Sequence, residues 1–371
     1  MKKFNPLNVS SKILICGQPL RVDSYRECTY GCEYCFATKR VIMGNDNIQV
    51  ADVGMVERKL KKIFVDKNIG EKNILDNLIN KRITWHFGGM SDPFALFEKK
   101  LKITEQIVDI TNKYDIKILF STKSDTSFGA KLIPELHTLH FSVSSVDDIK
   151  HIEKYVPNIK LRKRWYDSLK KQGFKVGIRI QPFIPNISDV RIVEMFDDAD
   201  HITIEGIKLV PQDVEYVNKM CSLLNIDRKE FKQKGLLALT PQKRLEMYEP
   251  VIERIKELGL SYSVADNDLR FMTTDNCCCG DSLSKSLGVD TTYMIKNLGF
   301  EYKKEALVKK INDSGISQCN INHLFSSNRQ EGLKTVEEFA KARTVRSTSP
   351  VSANSFQHRQ VELKLESNEK D

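Results

Sequence analysis

Short runs rich in β-branched and aromatic residues alternate with longer amphipathic stretches through most of this 371-residue chain. The runs are Ile83–Phe87, Ile116–Ser121, Leu139–Val143, Lys175–Ile180, His201–Glu205 and Leu260–Val264. Between them, helical patterns cover Leu101–Tyr114, Leu161–Gln172 and Pro241–Leu258, each closing near a Gly, Asn or Asp. Strands joined by helices run parallel, because the helix carries the chain back across the sheet. The number of such units predicts an α/β fold, a full or partial (β/α) barrel rather than a sandwich. Ligand contacts are then to be sought just after each strand, where barrels of this kind collect their chemistry.

The expected organisation is an N-terminal extension over 1–19, a barrel over 20–270, a Cys-containing region of helices and loops over 271–346, and a tail over 347–371. That tail is rich in Ser, Gln, Glu and Lys and reads as disordered. The 58 Lys and Arg exceed the 49 Asp and Glu, a formal net charge of +9. This permits a polyanionic partner without requiring one, since stretches such as Glu57–Lys62 read equally as solvated helix faces. No apolar run has the length of a signal peptide or a membrane span, so a cytoplasmic protein with no membrane partner is expected. Nine cysteines are too sparse for a disulfide scaffold, and clustered cysteines in a reducing compartment read as metal ligands or catalytic groups.

Cys28, Cys32 and Cys35 form such a cluster, with three and two residues between them. One loop with this spacing can wrap a single metal centre, and thiolates suit zinc or an iron–sulfur cluster. Three thiolates leave either centre one ligand short. No second Cys or His pair lies nearby, as a zinc ribbon needs; the next histidine, His86, falls at a strand end and reads as a packed residue. No fourth Cys follows closely, as in a bacterial ferredoxin.

The Cys-x3-Cys-x2-Cys spacing, with Tyr34 and Phe36 flanking the last Cys, resembles the signature of the radical S-adenosylmethionine superfamily. The resemblance implies a partial (β/α)6 TIM-like barrel and a [4Fe-4S] cluster on Cys28, Cys32 and Cys35. The fourth iron would take S-adenosylmethionine, whose one-electron cleavage gives a 5'-deoxyadenosyl radical. It also implies an electron donor such as flavodoxin or ferredoxin. A Gly-rich turn after the second barrel strand receives the amino group of S-adenosylmethionine in that superfamily, and His86-Phe-Gly-Gly-Met-Ser-Asp-Pro93 stands in that place. Gly88 and Gly89 would allow close backbone approach; Met90 replaces the usual acidic residue, leaving Ser91 and Asp92 as polar contacts.

Further along, Ser121-Thr-Lys-Ser124 and Phe141-Ser-Val-Ser144 are similar to motifs of the spore photoproduct lyase-like branch. Lys123 and Ser142, with Ser144 beside them, are thereby assigned to the S-adenosylmethionine carboxylate. Glu153 and Arg162 match a further pair of that branch, although Lys154 replaces its Pro; Arg162 would meet the carboxylate or ribose, with Glu153 its neighbour. The branch makes damaged DNA the first expectation for substrate. The alternatives are a radical enzyme modifying a peptide or protein and a non-catalytic metal-binding interaction module.

A second group, Cys277-Cys278-Cys279, is too concentrated for ordinary packing. One reading is a second, auxiliary iron–sulfur cluster that uses some of these residues and is completed by Cys221 or Cys319. Another is catalysis, with Cys278 or Cys279 donating a hydrogen atom to a substrate radical. A vicinal disulfide and incidental thiols are the plainer readings.

Overall fold

The computed structural model describes residues 1–10, 16–37, 48–127, 130–234, 236–290, 293, 294, 297 and 304–316. The tail expected from residue 347 lies outside them, as does Cys319. In chain order the strands are β1 (Lys2–Phe4), β2 (Leu7–Val9), β3 (Leu20–Val22), β4 (Gln49–Ala51), β5 (Trp85–Phe87), β6 (Ile118–Thr122), β7 (His137–Ser142), β8 (Lys175–Phe183), β9 (Ile202–Gly206), β10 (Lys208–Leu209), β11 (Phe231–Lys234), β12 (Leu236–Leu239) and β13 (Tyr262–Val264).

The main sheet is open, in the order β13-β9-β8-β7-β6-β5-β3-β2. From β3 to β13 every neighbouring pair is parallel, and only the edge pair of β2 and β3 is antiparallel. The six runs read from the sequence are β5 to β9 and β13. A further parallel strand, β3, precedes the Cys28 loop; at three residues it is too short to carry a periodic signal. The result is a curved, incomplete barrel of parallel strands laid down in sequence order.

Helices form where the apolar stripe coincides with a start signal. Asn158 caps the helix Ile159–Lys171 by accepting the Leu161 N–H at 2.9 Å, and Ile159, Tyr166 and Leu169 turn inward. Thr240 caps Pro241–Glu257, whose first residue is a proline that has no N–H to satisfy. The pattern expected as one helix over Leu101–Tyr114 is split: Lys102 adopts φ 52, separating Glu98–Leu101 from Ile103–Asn112.

Successive strand residues face opposite sides. Trp85, Phe87 and Phe120 pack outward with Leu78, Ile107 and Val108, while Leu139, Phe141, Ile178 and Ile180 pack with Tyr166, Tyr248 and Ile252. The intervening residues His86, Ser121, His140, Ser142, Arg179 and Glu205 turn to the concave side, which is polar toward the C-terminal ends of the strands, whereas Leu119 meets Leu283 near the other end. Residues 277–287 close the barrel at the N-terminal ends of the strands: Thr138 Oγ1 donates to the Leu283 carbonyl at 2.7 Å, and the Lys285 N–H to Thr84 Oγ1 at 2.7 Å. At the other end, β10, β12 and β11 form a small antiparallel sheet, and the helix Val214–Leu224 packs with it against Tyr34. Among the described residues no helix is long and apolar enough to cross a membrane.

Candidate functional site

The loop after β3 carries Cys28, Cys32 and Cys35 to the C-terminal ends of the strands. Backbone pairing holds it there: Glu33 N–H donates to the Ile152 carbonyl at 2.9 Å, Tyr155 N–H to the Tyr30 carbonyl at 3.1 Å, and Cys32 bridges Glu153. Lys219, on the helix Val214–Leu224, clamps Glu33 at 2.8 Å. The Tyr30 hydroxyl hydrogen-bonds Ser124 Oγ, tying the loop to the end of β6.

Behind the triad sits a buried charge cluster. Lys123, just past β6, points its Nζ to Glu153 Oε1 at 3.1 Å and to the Ser142 carbonyl at 3.4 Å. Arg162, on the first turn of Ile159–Lys171, donates from Nη1 to the same carbonyl at 2.7 Å and lies 3.8 Å from Glu153 Oε2. The Tyr34 hydroxyl donates to Glu153 Oε1 and lies 3.4 Å from Ser144 Oγ. Lys123, Ser142, Ser144, Glu153, Arg162 and Tyr34 are thus brought into one constellation, although they come from five separate stretches of chain. Phe36 packs in the same cluster as Tyr34 and the helix Val214–Leu224.

Burial alone would push the Glu153 carboxyl up. The Lys123 ammonium and the Arg162 guanidinium, with hydrogen bonds from Tyr34 and Lys123, overcome it and hold the group at about 2. Burial pushes the Cys32 thiol up to about 12 against the pull of Lys123. It pushes Cys28 up to about 11, with the Asp92 carboxylate adding to it and the N–H groups of Tyr30 and Asp92, which donate to the sulfur, opposing it.

The Gly-Gly turn after β5 supplies one of those donors. Asp92 is buried and organises the turn: its Oδ1 accepts from Thr122 Oγ1 at 2.8 Å and Phe94 N–H at 2.9 Å, and its Oδ2 from Lys123 N–H at 2.7 Å. Ser91 Oγ donates to the Tyr25 carbonyl at 2.7 Å. Both side chains therefore brace the turn from within. Gly88 sits at φ +95, and a Cβ there would come 2.5 Å from the Ser121 carbonyl oxygen and 2.9 Å from Pro93 Cδ; Gly89 has no such crowding. Gly88→Ala is expected to destabilise the chain by about 2 kcal/mol or more, read as a lower urea midpoint, because both the backbone angle and the space exclude a side chain.

The donor set fits a multi-iron cluster better than one ion. A tetrahedral zinc with bonds of about 2.3 Å holds its sulfurs roughly 3.8 Å apart. Among the described residues, the group whose ligand atoms all lie within 4.8 Å of one another is Cys277, Cys278 and Cys279, not the triad. Sulfurs on separate irons of a cluster stand wider apart, and N–H groups aimed at Cys28 suit a cluster-bound thiolate.

Cys277, Cys278 and Cys279 lie at the opposite, N-terminal end of the strands, buried beside Leu119 and Leu283. Cys221 is not with them: it packs on the helix Val214–Leu224 among Tyr216, Val217 and Met220. The sequence assigns no role to Tyr30 or to Ser124, the last residue of its motif, because their hydrogen bond is non-local, nor to Cys16, an isolated cysteine without a motif.

The open sheet, parallel from β3 to β13, with a three-cysteine loop after its first parallel strand, is a partial (β/α) barrel. No protein-family model matches the sequence, and no curated protein matches it. Among solved structures the chain is similar to a doubly substituted spore photoproduct lyase with bound AdoMet and dinucleoside spore photoproduct. The TM-score is 0.51 and the identity 14%, over 69% of this chain and 79% of that one. A second structure, spore photoproduct lyase complexed with the same dinucleoside, gives 0.50 and 12% over 67% and 76%. Streptococcus suis SuiB bound to S-adenosylmethionine gives 0.42 and 12% over 68% and 51%. At these identities the likeness to the two lyase structures establishes the fold.

Proposed function

We propose that this chain is a radical S-adenosylmethionine enzyme acting on nucleic acid that carries a spore-photoproduct-like lesion. The carrying observation is the convergence of Lys123 and Arg162 on the Ser142 carbonyl and Glu153, directly behind the loop of Cys28, Cys32 and Cys35. Cys28, Cys32 and Cys35 would hold a [4Fe-4S] cluster and leave one iron for S-adenosylmethionine. When bound, that pair supplies one-electron cleavage of the sulfonium to a 5'-deoxyadenosyl radical, with electrons from a donor such as flavodoxin or ferredoxin.

The chain's own residues bind and orient. Lys123 and Arg162 are two cations sharing one carboxylate, so they retain charge for the cosubstrate carboxylate. Glu153 holds both at fixed positions and, ionised throughout the physiological range, accepts a hydrogen bond rather than donating one. The turn at Gly88 and Gly89 brings backbone close to the cosubstrate's polar end, and Asp92 keeps that turn rigid from beneath. Damaged DNA is favoured as substrate by likeness to lyases solved with a dinucleoside photoproduct and by the basic balance of the chain.

The test is anaerobic reconstitution followed by incubation with S-adenosylmethionine and dithionite. 5'-Deoxyadenosine is expected, together with recovery of undamaged pyrimidines from a photoproduct-bearing oligonucleotide, and affinity for that oligonucleotide should fall steeply with added salt. Protein loaded with iron and sulfide that yields no 5'-deoxyadenosine refutes the chemistry. 5'-Deoxyadenosine formed without recovery of pyrimidines, and with salt-insensitive binding, refutes the substrate and leaves the chemistry standing.

A further inference from the structure

At the closed end of the barrel a fourth thiol joins the Cys run. Cys16, from the segment before β3, donates to the Gln18 carbonyl at 3.2 Å and stands next to Cys278, and a Cβ at the adjoining Gly17 would come 3.2 Å from Cys277 Sγ. Cys16, Cys277, Cys278 and Cys279 are all buried, and the last three bring their sulfurs within 4.8 Å of one another. The backbone of the run is pinned for this: Ser263 Oγ donates to the Cys277 carbonyl at 2.9 Å, Thr203 Oγ1 to the Cys278 carbonyl at 3.0 Å, and Gly280 N–H back to Cys277 at 3.0 Å. Gly280 makes the turn at φ +86 against the His201 ring, which a Cβ would meet at 2.5 Å.

The surroundings are cationic. Arg21 Nη2 lies 3.2 Å from Cys16 Sγ, and its strongest opposite charges are Cys16, Cys279 and Cys278. Arg270, buried at 5% exposure, acts on Cys278 and Cys16, and Arg179 on Cys279. Next to Cys16 the Gln18 side chain is wholly buried, and neither of its amide atoms has a protein partner. Asp290 and Glu205 also act on Arg270, and Glu205 on Arg179, so the thiols share these guanidiniums with two carboxylates. Four thiolates around a divalent ion carry a net double negative charge, which suits a ring of buried guanidiniums.

We propose that Cys16, Cys277, Cys278 and Cys279 form a tetrathiolate site for one soft divalent ion, zinc(II), distinct from the Cys28 triad. The sulfurs of Cys277, Cys278 and Cys279, all within 4.8 Å of one another, fit a single tetrahedral ion and are too near together to sit on separate irons of a cubane; Cys16, next to Cys278, is the fourth ligand and closes onto the ion when it binds. Binding releases the thiol protons to solvent and ties the segment before β3 to the loop closing the barrel. The role is structural: it locks the closed end while the chemistry proceeds at the other.

The test uses the full chain with Cys28, Cys32 and Cys35 replaced by alanine, so that triad iron does not enter the count. Elemental analysis is expected to find one zinc per chain. Cobalt(II) added to the metal-stripped, reduced protein should give strong sulfur-to-metal charge-transfer bands and the intense visible bands of a tetrahedral site. Adding Cys16→Ser or Cys278→Ser should weaken zinc by about 100-fold or more in chelator competition, whereas adding Cys221→Ser should not. The cobalt spectrum is read on a chain with all four thiols intact, so a misfolded Ser variant does not spoil the test. No zinc and no cobalt bands, four irons with sulfide, or a disulfide in place of the thiols would each overturn the proposal. Undiminished zinc affinity in Cys16→Ser overturns the place of Cys16.

Discussion

Alanine at Cys28, Cys32 and Cys35 together is expected to reduce 5'-deoxyadenosine formation to the protein-free background and to remove the brown colour of the reconstituted chain. The expectation rests on where these thiols sit. They are partly exposed, unlike the wholly buried Cys277, and they stand in a loop whose backbone is already held by Ile152 and Tyr155. Their loss therefore removes ligands without removing the packing that places Lys123, Glu153 and Arg162. Circular dichroism should be unchanged, and that separates a missing centre from a missing fold. A Cys221→Ser control should retain full product. Product persisting in the triple variant would sink the assignment and move the centre to the cysteines at the closed end.

The difference between the two cysteine groups illustrates what was legible in the sequence. The triad could be read because a loop confines its members to eight residues, and the flanking Tyr34 and Phe36 completed a recognisable pattern. The partial barrel could be read for a similar reason: β6 to β9 have enough β-branched residues to show their period. β3 escaped notice because three residues carry none. At the strand ends, Lys123, Ser142, Glu153 and Arg162 were found through motif resemblance, and the structure groups them; their mutual contacts come from tertiary folding.

The roles of side chains inside the Gly-Gly turn were less legible. Ser91 and Asp92 were read as polar contacts for a cosubstrate, yet their oxygens are engaged by Tyr25, Thr122, Lys123 and Phe94. A sequence does not reveal which way a turn presents its side chains. Cys16 was unreadable for the opposite reason: it joins Cys278 across almost the whole chain, and nothing local distinguishes it from a packed thiol.

Glu153→Leu is expected to lower stability by about 3 to 5 kcal/mol, the cost of leaving buried cations without their anion. Lys123 and Arg162 both face this one carboxylate, whose side chain is 3% exposed, so solvent does little to replace it. The same two cations set the acidity of the carboxyl. A carboxyl held at about 2 in the folded chain, against an ordinary 4.5, corresponds to about 3 kcal/mol of linkage. Because the folded value is the lower one, this stabilisation is complete above about pH 5 and drains away as pH falls toward 2. Urea unfolding of the wild type and of Glu153→Gln should therefore differ most at pH 7 and converge steadily below pH 4.5. A gap that stays constant from pH 7 to pH 3 would mean that Glu153 acts through packing alone. In that case Lys123 and Arg162 would owe their positions to the Ser142 carbonyl rather than to the charge between them.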